Sequence, residues 1–197
     1  MMKIVAATKN RNKIREFKEI LEGFPISILS LEDMGLDIDV VEDKDTFEGN
    51  AEKKAMEVMK ATGLPSLADD SGLEVFALDG APGVNSARFS GIHGDDKSNN
   101  IKLLKLLEDV PYEKRGAKFV AVIVLVYPDG SKFTARGEVE GIIAREEKGD
   151  KGFGYDPLFI IPQYDKTFAE LGSEAKNKIS HRGKALEELK NILKYKL

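Results

Sequence analysis

No cysteine occurs anywhere in the 197 residues, and histidine appears only twice, at His93 and His181. The first absence excludes disulfides, thiolate zinc sites, iron–sulfur clusters and a catalytic thiol, and it suits a reducing cytosol. With two histidines and no thiol, an all-histidine metal site and a zinc-deaminase motif are excluded as well. Long apolar runs are also missing. The longest, Phe119–Tyr127, has nine residues, about half of a bilayer span, so no membrane partner is expected. The opening MMKIVAATKN has no apolar core followed by small-residue cleavage signals, so no signal peptide is expected and the cytoplasm is the expected compartment. Neither GxxxxGK[ST] nor GxSxG occurs, which removes a Walker A loop and a nucleophile elbow. No repeat, low-complexity block or linker divides the chain, so one domain is expected over residues 1–197. A large excess of either charge is missing too. Thirty Lys and Arg against thirty-four Asp and Glu leave a net charge of −4, which argues against a nucleic-acid polymer as partner. A small anionic substrate stays open, because a local pocket can differ from the average.

What is present reads as alternating strands and helices. Lys3–Ala7 is a short apolar strand, followed by the polar loop Thr8–Lys13 and then Ile14, Phe17 and Leu21 at helical spacing, with Gly23 as the stop. A second helix is predicted from about Phe47 to Ala61, ended by Gly63 and Pro65. Residues 66–76 read as a strand interrupted by an acidic, glycine-containing bend. A third helix starts near Asp95-Asp96 and should carry Ile101, Leu104 and Leu107 inward. Phe119–Tyr127 does not alternate, as a central strand should not, and Pro128-Asp129-Gly130 turns it into a partner at Lys132–Arg136. A short strand at Leu158–Ile161 follows, and the last helix places Leu186, Leu189, Leu193 and Leu197 on one face. The pattern is α/β, with a mixed sheet flanked by helices.

Five segments carry chemistry. Thr8–Lys13 joins a strand to a helix start, where free N–H groups, the helix dipole and Lys9, Arg11 and Lys13 make an anion site; the same residues suit a solvated turn with a capping Asn. Asp69-Asp70-Ser71-Gly72 puts two carboxylates at the end of an apolar stretch, which asks for a cation or for hydrogen bonds, and strand alternation sends only one of them to a given face; an Asx-turn in a surface loop is the alternative. Glu42 opens an acidic run before the second helix and supplies an oxygen ligand of the kind Mg²⁺ takes, although such runs also solvate surfaces. Gly152-Phe153-Gly154-Tyr155-Asp156-Pro157 sets two aromatics among glycines, suited to stacking on a nucleobase or to anchoring a long loop. Lys176 and Ser180-His181-Arg182-Gly183 precede the last helix, as donors or as a cap.

The order and spacing of these segments carry more than any one of them. Thr8-x-Asn10-x-x-Lys13, Glu42 ahead of Thr46-Phe47-x-x-Asn50-Ala51, Ala68–Leu73, Pro82-Gly83 with Ser86–Gly91, Gly152–Pro157 and Ser180–Gly183 together resemble the inosine triphosphate pyrophosphatase family, also called XTP/dITP diphosphatases. The resemblance covers essentially the whole chain. It implies a long mixed sheet in two lobes with the active-site cleft between them, a homodimer, and Mg²⁺-dependent hydrolysis of ITP, dITP and XTP to the monophosphate and pyrophosphate. Matched by position, Thr8, Lys9, Asn10, Arg11, Asn12, Lys13 and Lys54 would hold the triphosphate. Glu42 and Asp70 would hold the metal, Asp70 would also be the base, Asp69 a supporting acid, and Ser71 would touch the substrate. Phe153, Gly154, Tyr155 and Asp156 would cover the base, with Phe153 stacking, while Lys176, His181 and Arg182 read its edge. One departure is Gly49, where many relatives carry Glu; it puts only that second carboxylate's role in question. The matched positions hold more basic than acidic side chains, so a cationic site is expected inside an acidic shell.

Overall fold

The first turn of the chain's first helix is fixed by a side chain. The computed structural model describes residues 1–194, in which strand β1 (Met2–Ala6) runs into the polar loop and then helix α1 (Arg11–Ile20). Asn10 caps α1, its Oδ1 accepting from the N–H groups of Asn12 and Lys13 at 2.9 and 3.2 Å. Strand β2 (Ile26–Leu29) follows; its four residues were not expected. Helix α2 (Phe47–Thr62) is capped by Thr46, whose Oγ1 accepts from Gly49 N–H, and it ends on Gly63 at φ +68°.

Strand β3 (Ser66–Val75) carries no break at its acidic pair. The expected bend is absent because both carboxylates meet cations without one, as described below. Helix α3 (Asp96–Leu106) leads to strand β4 (Gly116–Val126), where every side chain from Val120 to Val126 is buried. Burial on both faces explains the missing alternation. The Pro128–Gly130 turn leads into strand β5, which extends from Lys132 to Ile143, well beyond the expected end at Arg136. Two short strands, β6 (Phe159–Ile161) and β7 (Lys166–Thr167), precede helices α4 (Phe168–Leu171), α5 (Ser173–Ile179) and α6 (His181–Lys194). The strands pair in the order β2-β1-β3-β4-β5-β6-β7. β1 is parallel to β2 and β3, and β6 is antiparallel to β5 and β7, so the sheet is mixed.

The chain divides into two compact units. The first holds residues 1–70 and 121–137 and continues from Arg182. Its core gathers Ile4, Phe17, Leu21, Ile28, Ile123 and Leu125 with Leu186, Leu189 and Leu193 of α6. The leucine stripe of α6 is thus confirmed as far as Leu193; Leu197 lies outside the described residues. The second unit holds residues 71–120 and 138–181. Leu73, Leu103, Leu107, Phe119, Phe159 and Phe168 form its core, with Phe119 and Phe159 ring centroids 4.5 Å apart. Each such buried side chain contributes about 1.5–3 kcal/mol.

Two features of this unit depart from the pattern of apolar residues. Leu104 and Leu107 pack inward as expected, but Ile101 is exposed at 57%, and Asn99, Asn100 and Leu103 complete the inward face. Arg115 is fully buried, its guanidinium donating to the carbonyls of Leu107, Ile143 and Ala144 at 2.7–3.0 Å. Three strong acceptors make that burial tolerable and tie the start of β4 to the end of β5.

Candidate active site

Within the first unit, the two aspartates of β3 collect two different sets of partners. Alternation along the strand turns Asp69 one way and Asp70 the other. Asp69 is fully buried and binds Lys13 Nζ at 2.5 Å and Arg182 through Nε and Nη2 at 3.0 and 3.3 Å. Arg182 Nη1 donates to Glu16 Oε2 at 2.5 Å. Two cations and two carboxylates therefore form a buried neutral quartet. Burial alone pushes Asp69 up, but the charges of Arg182 and Lys13 and their hydrogen bonds outweigh it and hold the carboxyl well below the usual range. Glu16 escaped the sequence reading, because it lies off the stripe of Ile14, Phe17 and Leu21 and nothing local marks it as buried.

Asp70 faces a more open group. Lys54 Nζ donates to Glu42 Oε1 at 2.5 Å, to the Asp69 carbonyl at 2.8 Å and to Asp70 Oδ1 at 3.3 Å. That places Lys54 between two carboxylates and excludes an exposed surface lysine. Asn50 Nδ2 donates to Asp70 Oδ2 at 3.2 Å and to the Lys44 carbonyl, while its Oδ1 accepts from Lys44 N–H. Asn50 thereby locks the segment carrying Glu42 to the strand carrying Asp70, a role that its place in a motif did not reveal. Burial raises the Asp70 carboxyl above its usual value, Glu42 and Asp69 add to the rise, and Lys54 and Lys13 oppose it. Lys54 is itself raised by Asp70 and Glu42 against the pull of burial.

The loop of Thr8–Lys13 takes the capped-turn form that its sequence allowed. Asn10 caps α1, so the N–H groups of Asn12 and Lys13 are occupied rather than free, a correction to the expected anion site. Thr8, Lys9 and Arg11 instead line an open pocket of about 440 Å³, closed on its other side by residues 30–32 and 35–37. There Lys9 pairs with Asp37 at 2.8 Å and Arg11 with Glu32 at 3.3 Å, both exposed.

In the second unit, Asp156 Oδ2 accepts from Phe153 N–H at 2.9 Å and from Lys176 Nζ at 2.7 Å, and Lys176 Nζ lies 4.5 Å from the centre of the Phe153 ring. Gly152, at φ +80°, has no room for a side chain beside that carboxylate. Tyr155 is buried and donates its hydroxyl to the Ser86 carbonyl at 2.9 Å, so it anchors the loop, and burial pushes its phenol up. His181 stacks on Phe119 at 4.7 Å and 11°. Ser71, partly buried on β3, opens this unit. Among the described residues no cluster of three or more His, Cys, Asp or Glu is placed to hold a metal, and no helix is long and apolar enough to cross a membrane.

Comparison with known proteins bears out the resemblance. The chain is 53% identical to the dITP/XTP pyrophosphatase of Geobacter sulfurreducens, over 98% of this chain and 97% of that one. It is 51% identical to the dITP/XTP pyrophosphatase of Clostridium perfringens, over 98% of each. The Staphylococcus aureus Ham1 protein superposes with a TM-score of 0.88 at 42% identity, covering 99% of this chain and all of that one. The profile of the Ham1 family matches residues 4–192, and the chain belongs to that family.

Proposed function

We propose that this protein hydrolyses the non-standard purine triphosphates ITP, dITP and XTP to the monophosphate and pyrophosphate, clearing them from the nucleotide pool in the cytoplasm. The observation that carries the reading is the Glu42–Lys54–Asp70 cluster, in a chain half identical to proteins named for that reaction.

Glu42 and Asp70 fit Mg²⁺, since both are oxygen donors and both already reach one positive centre, the Lys54 ammonium. The ion supplies neutralisation of phosphate charge and polarisation of the α-phosphate. The chain's own residues do the rest. Asp70, whose carboxyl holds a proton more readily than usual, accepts the proton of the attacking water at a carboxylate oxygen. Lys13 and Lys54 stabilise the leaving pyrophosphate, while Asp69 holds Lys13 in place. Thr8, Lys9, Asn10, Arg11 and Asn12 bind phosphate oxygens, with Ser71 beside the substrate. For the triphosphate, Lys9 and Arg11 exchange their exposed carboxylates for phosphate. Such pairs cost little to give up.

Base recognition follows from donor chemistry. Phe153 stacks, on a loop shaped by Gly154, Tyr155 and Asp156, and Lys176 and His181 read the edge, while Arg182, expected there, spends Nε, Nη1 and Nη2 on Asp69 and Glu16 instead. Lysine only donates, so a 6-oxo purine is accepted and the 6-amino group of adenine leaves a donor facing a donor. Unpaired groups of that kind reject a wrong substrate by about 10⁴-fold. Two copies of the chain form a dimer in this reading. Release of pyrophosphate from ITP, dITP and XTP with Mg²⁺, and little from ATP, is the expected result. Orthophosphate as the only product, or no release from any of them, would overturn the assignment.

A further inference from the structure

Helix α3 does something that its sequence pattern hid. Its inward face begins with two consecutive asparagines, Asn99 and Asn100, buried at 2% and 3% exposure. Each serves a loop. Asn99 Oδ1 accepts from Ser90 N–H at 2.7 Å, and its amide donates to the Ala87 carbonyl. Asn100 Nδ2 donates to the Gly154 carbonyl at 3.2 Å and to Glu147 Oε1 at 2.8 Å. One turn earlier on the same helix, Asp96 Oδ2 accepts from Gly154 N–H at 2.7 Å. Both polar groups of the Gly154 peptide backbone are therefore held by residues four apart on one helix.

We propose that Asn100, together with Asp96, is a positioning residue for nucleobase binding, holding Gly154 so that Phe153 keeps the orientation that stacking requires. The inference rests on the reading above, in which this loop covers the base.

Three observations support it. Gly152 and Gly154 adopt φ +80° and +62°, so the loop has little conformational preference of its own and needs an external hold. Asp156 takes the Phe153 N–H and Tyr155 is fixed through Ser86, so the Gly154 N–H and carbonyl between them are the groups set from α3. Third, the Asn100 Oδ1 atom is buried and has no hydrogen-bond partner among the described residues. Both amide hydrogens are spent on the Gly154 carbonyl and on Glu147 Oε1, so the side chain's orientation is set by the loop it holds. Leu103 and Leu107 fill the same face, so leucine at position 100 would pack there but would take this donor from the Gly154 carbonyl.

The test compares steady-state ITP hydrolysis by Asn100→Leu, Asp96→Ala and Phe153→Ala, with hydrogen exchange of the 152–157 amides. Asp96 is exposed, so its variant folds even where the buried one does not. The expected result is faster exchange at 152–157 in both α3 variants and a KM for ITP raised about tenfold in Asn100→Leu, with kcat little changed. A merely structural role would lower stability without this split between KM and kcat. If Phe153→Ala raises KM while neither α3 variant does, the positioning inference is overturned and the base-loop reading stands. An unchanged KM in Phe153→Ala overturns that reading and, with it, the inference.

Discussion

Asp69 and Asp70 are neighbours in sequence and on one strand, yet the protein treats them in opposite ways. Asp69 is enclosed with Lys13, Arg182 and Glu16, every charge matched, and its carboxyl is driven down. Asp70 shares one lysine with Glu42, takes one amide hydrogen bond from Asn50, and is driven up. Burial opposes ionisation at both positions. What separates them is the number of cations for each carboxylate. Asp69 bonds two cations and shares only Arg182, with Glu16, whereas Asp70 must divide its one lysine with Glu42. A carboxylate with a shortage of positive charge is where a divalent cation and a phosphate substrate gain most, and where a proton can be taken up. The saturated neighbour keeps the geometry.

The sharpest way to break the comparison is to neutralise Asp70. Asp70→Asn keeps an oxygen for Lys54 and gives up the hydrogen bond from Asn50, so the fold should survive, while ITP turnover falls about 10²–10⁴-fold through loss of the base and of a metal ligand. Pyrophosphate release and nucleotide binding measured on the same preparation would check this. Turnover like wild type would remove Asp70 from the chemistry. Next in size, Asp69→Ala leaves Lys13 and Arg182 buried with one carboxylate between them. Stripping one partner from a buried ion pair costs about 3–5 kcal/mol, read as a lower urea midpoint at unchanged slope. A variant as stable as wild type would mean that the quartet is not a structural unit.

How much of this was legible depended on whether the signal was local. Strand β4, the capped start of α1, the start of α2 at Phe47 and the leucine face of α6 follow from propensity, capping and periodicity, and they appear where expected. The unbroken β3 did not follow, because the partners that allow Asp69 and Asp70 inside a strand come from residues 13, 50, 54 and 182. Helix α3 misled for a related reason. An apolar stripe through Ile101 looked like the inward face, but the loops at residues 87–90 and 154 claim that face through Asn99 and Asn100, and Ile101 turns out. Ordered motifs located the candidate residues at long range without indicating who bonds to whom. So the carboxylates that bind Lys54 and Arg182 were not foreseen, and Glu16, Asn50 and Asn100 went unassigned.

The smallest expected effect tests the comparison by its sign. A carboxyl raised on folding, as at Asp70, lends stability that is fully present below its unfolded value, and that contribution is lost as pH rises through the folded value. At neutral pH, metal-free Asp70 is therefore a net burden. Asp70→Asn should stabilise the metal-free protein there by no more than about 1–2 kcal/mol. The advantage should shrink as pH falls from about 7 toward 3, where the wild-type carboxyl regains its proton. Asp69 obeys the reverse rule. Its contribution is present above the unfolded value and is lost as pH falls through the depressed folded value. Asp69→Asn should then show a deficit at neutral pH that narrows only in strong acid. Urea midpoints of both variants across that range, in the presence of a chelator, would show one gain fading and one deficit closing. If Asp70→Asn is less stable than wild type at neutral pH, the shortage of positive charge around Asp70 is not what sets the two aspartates apart.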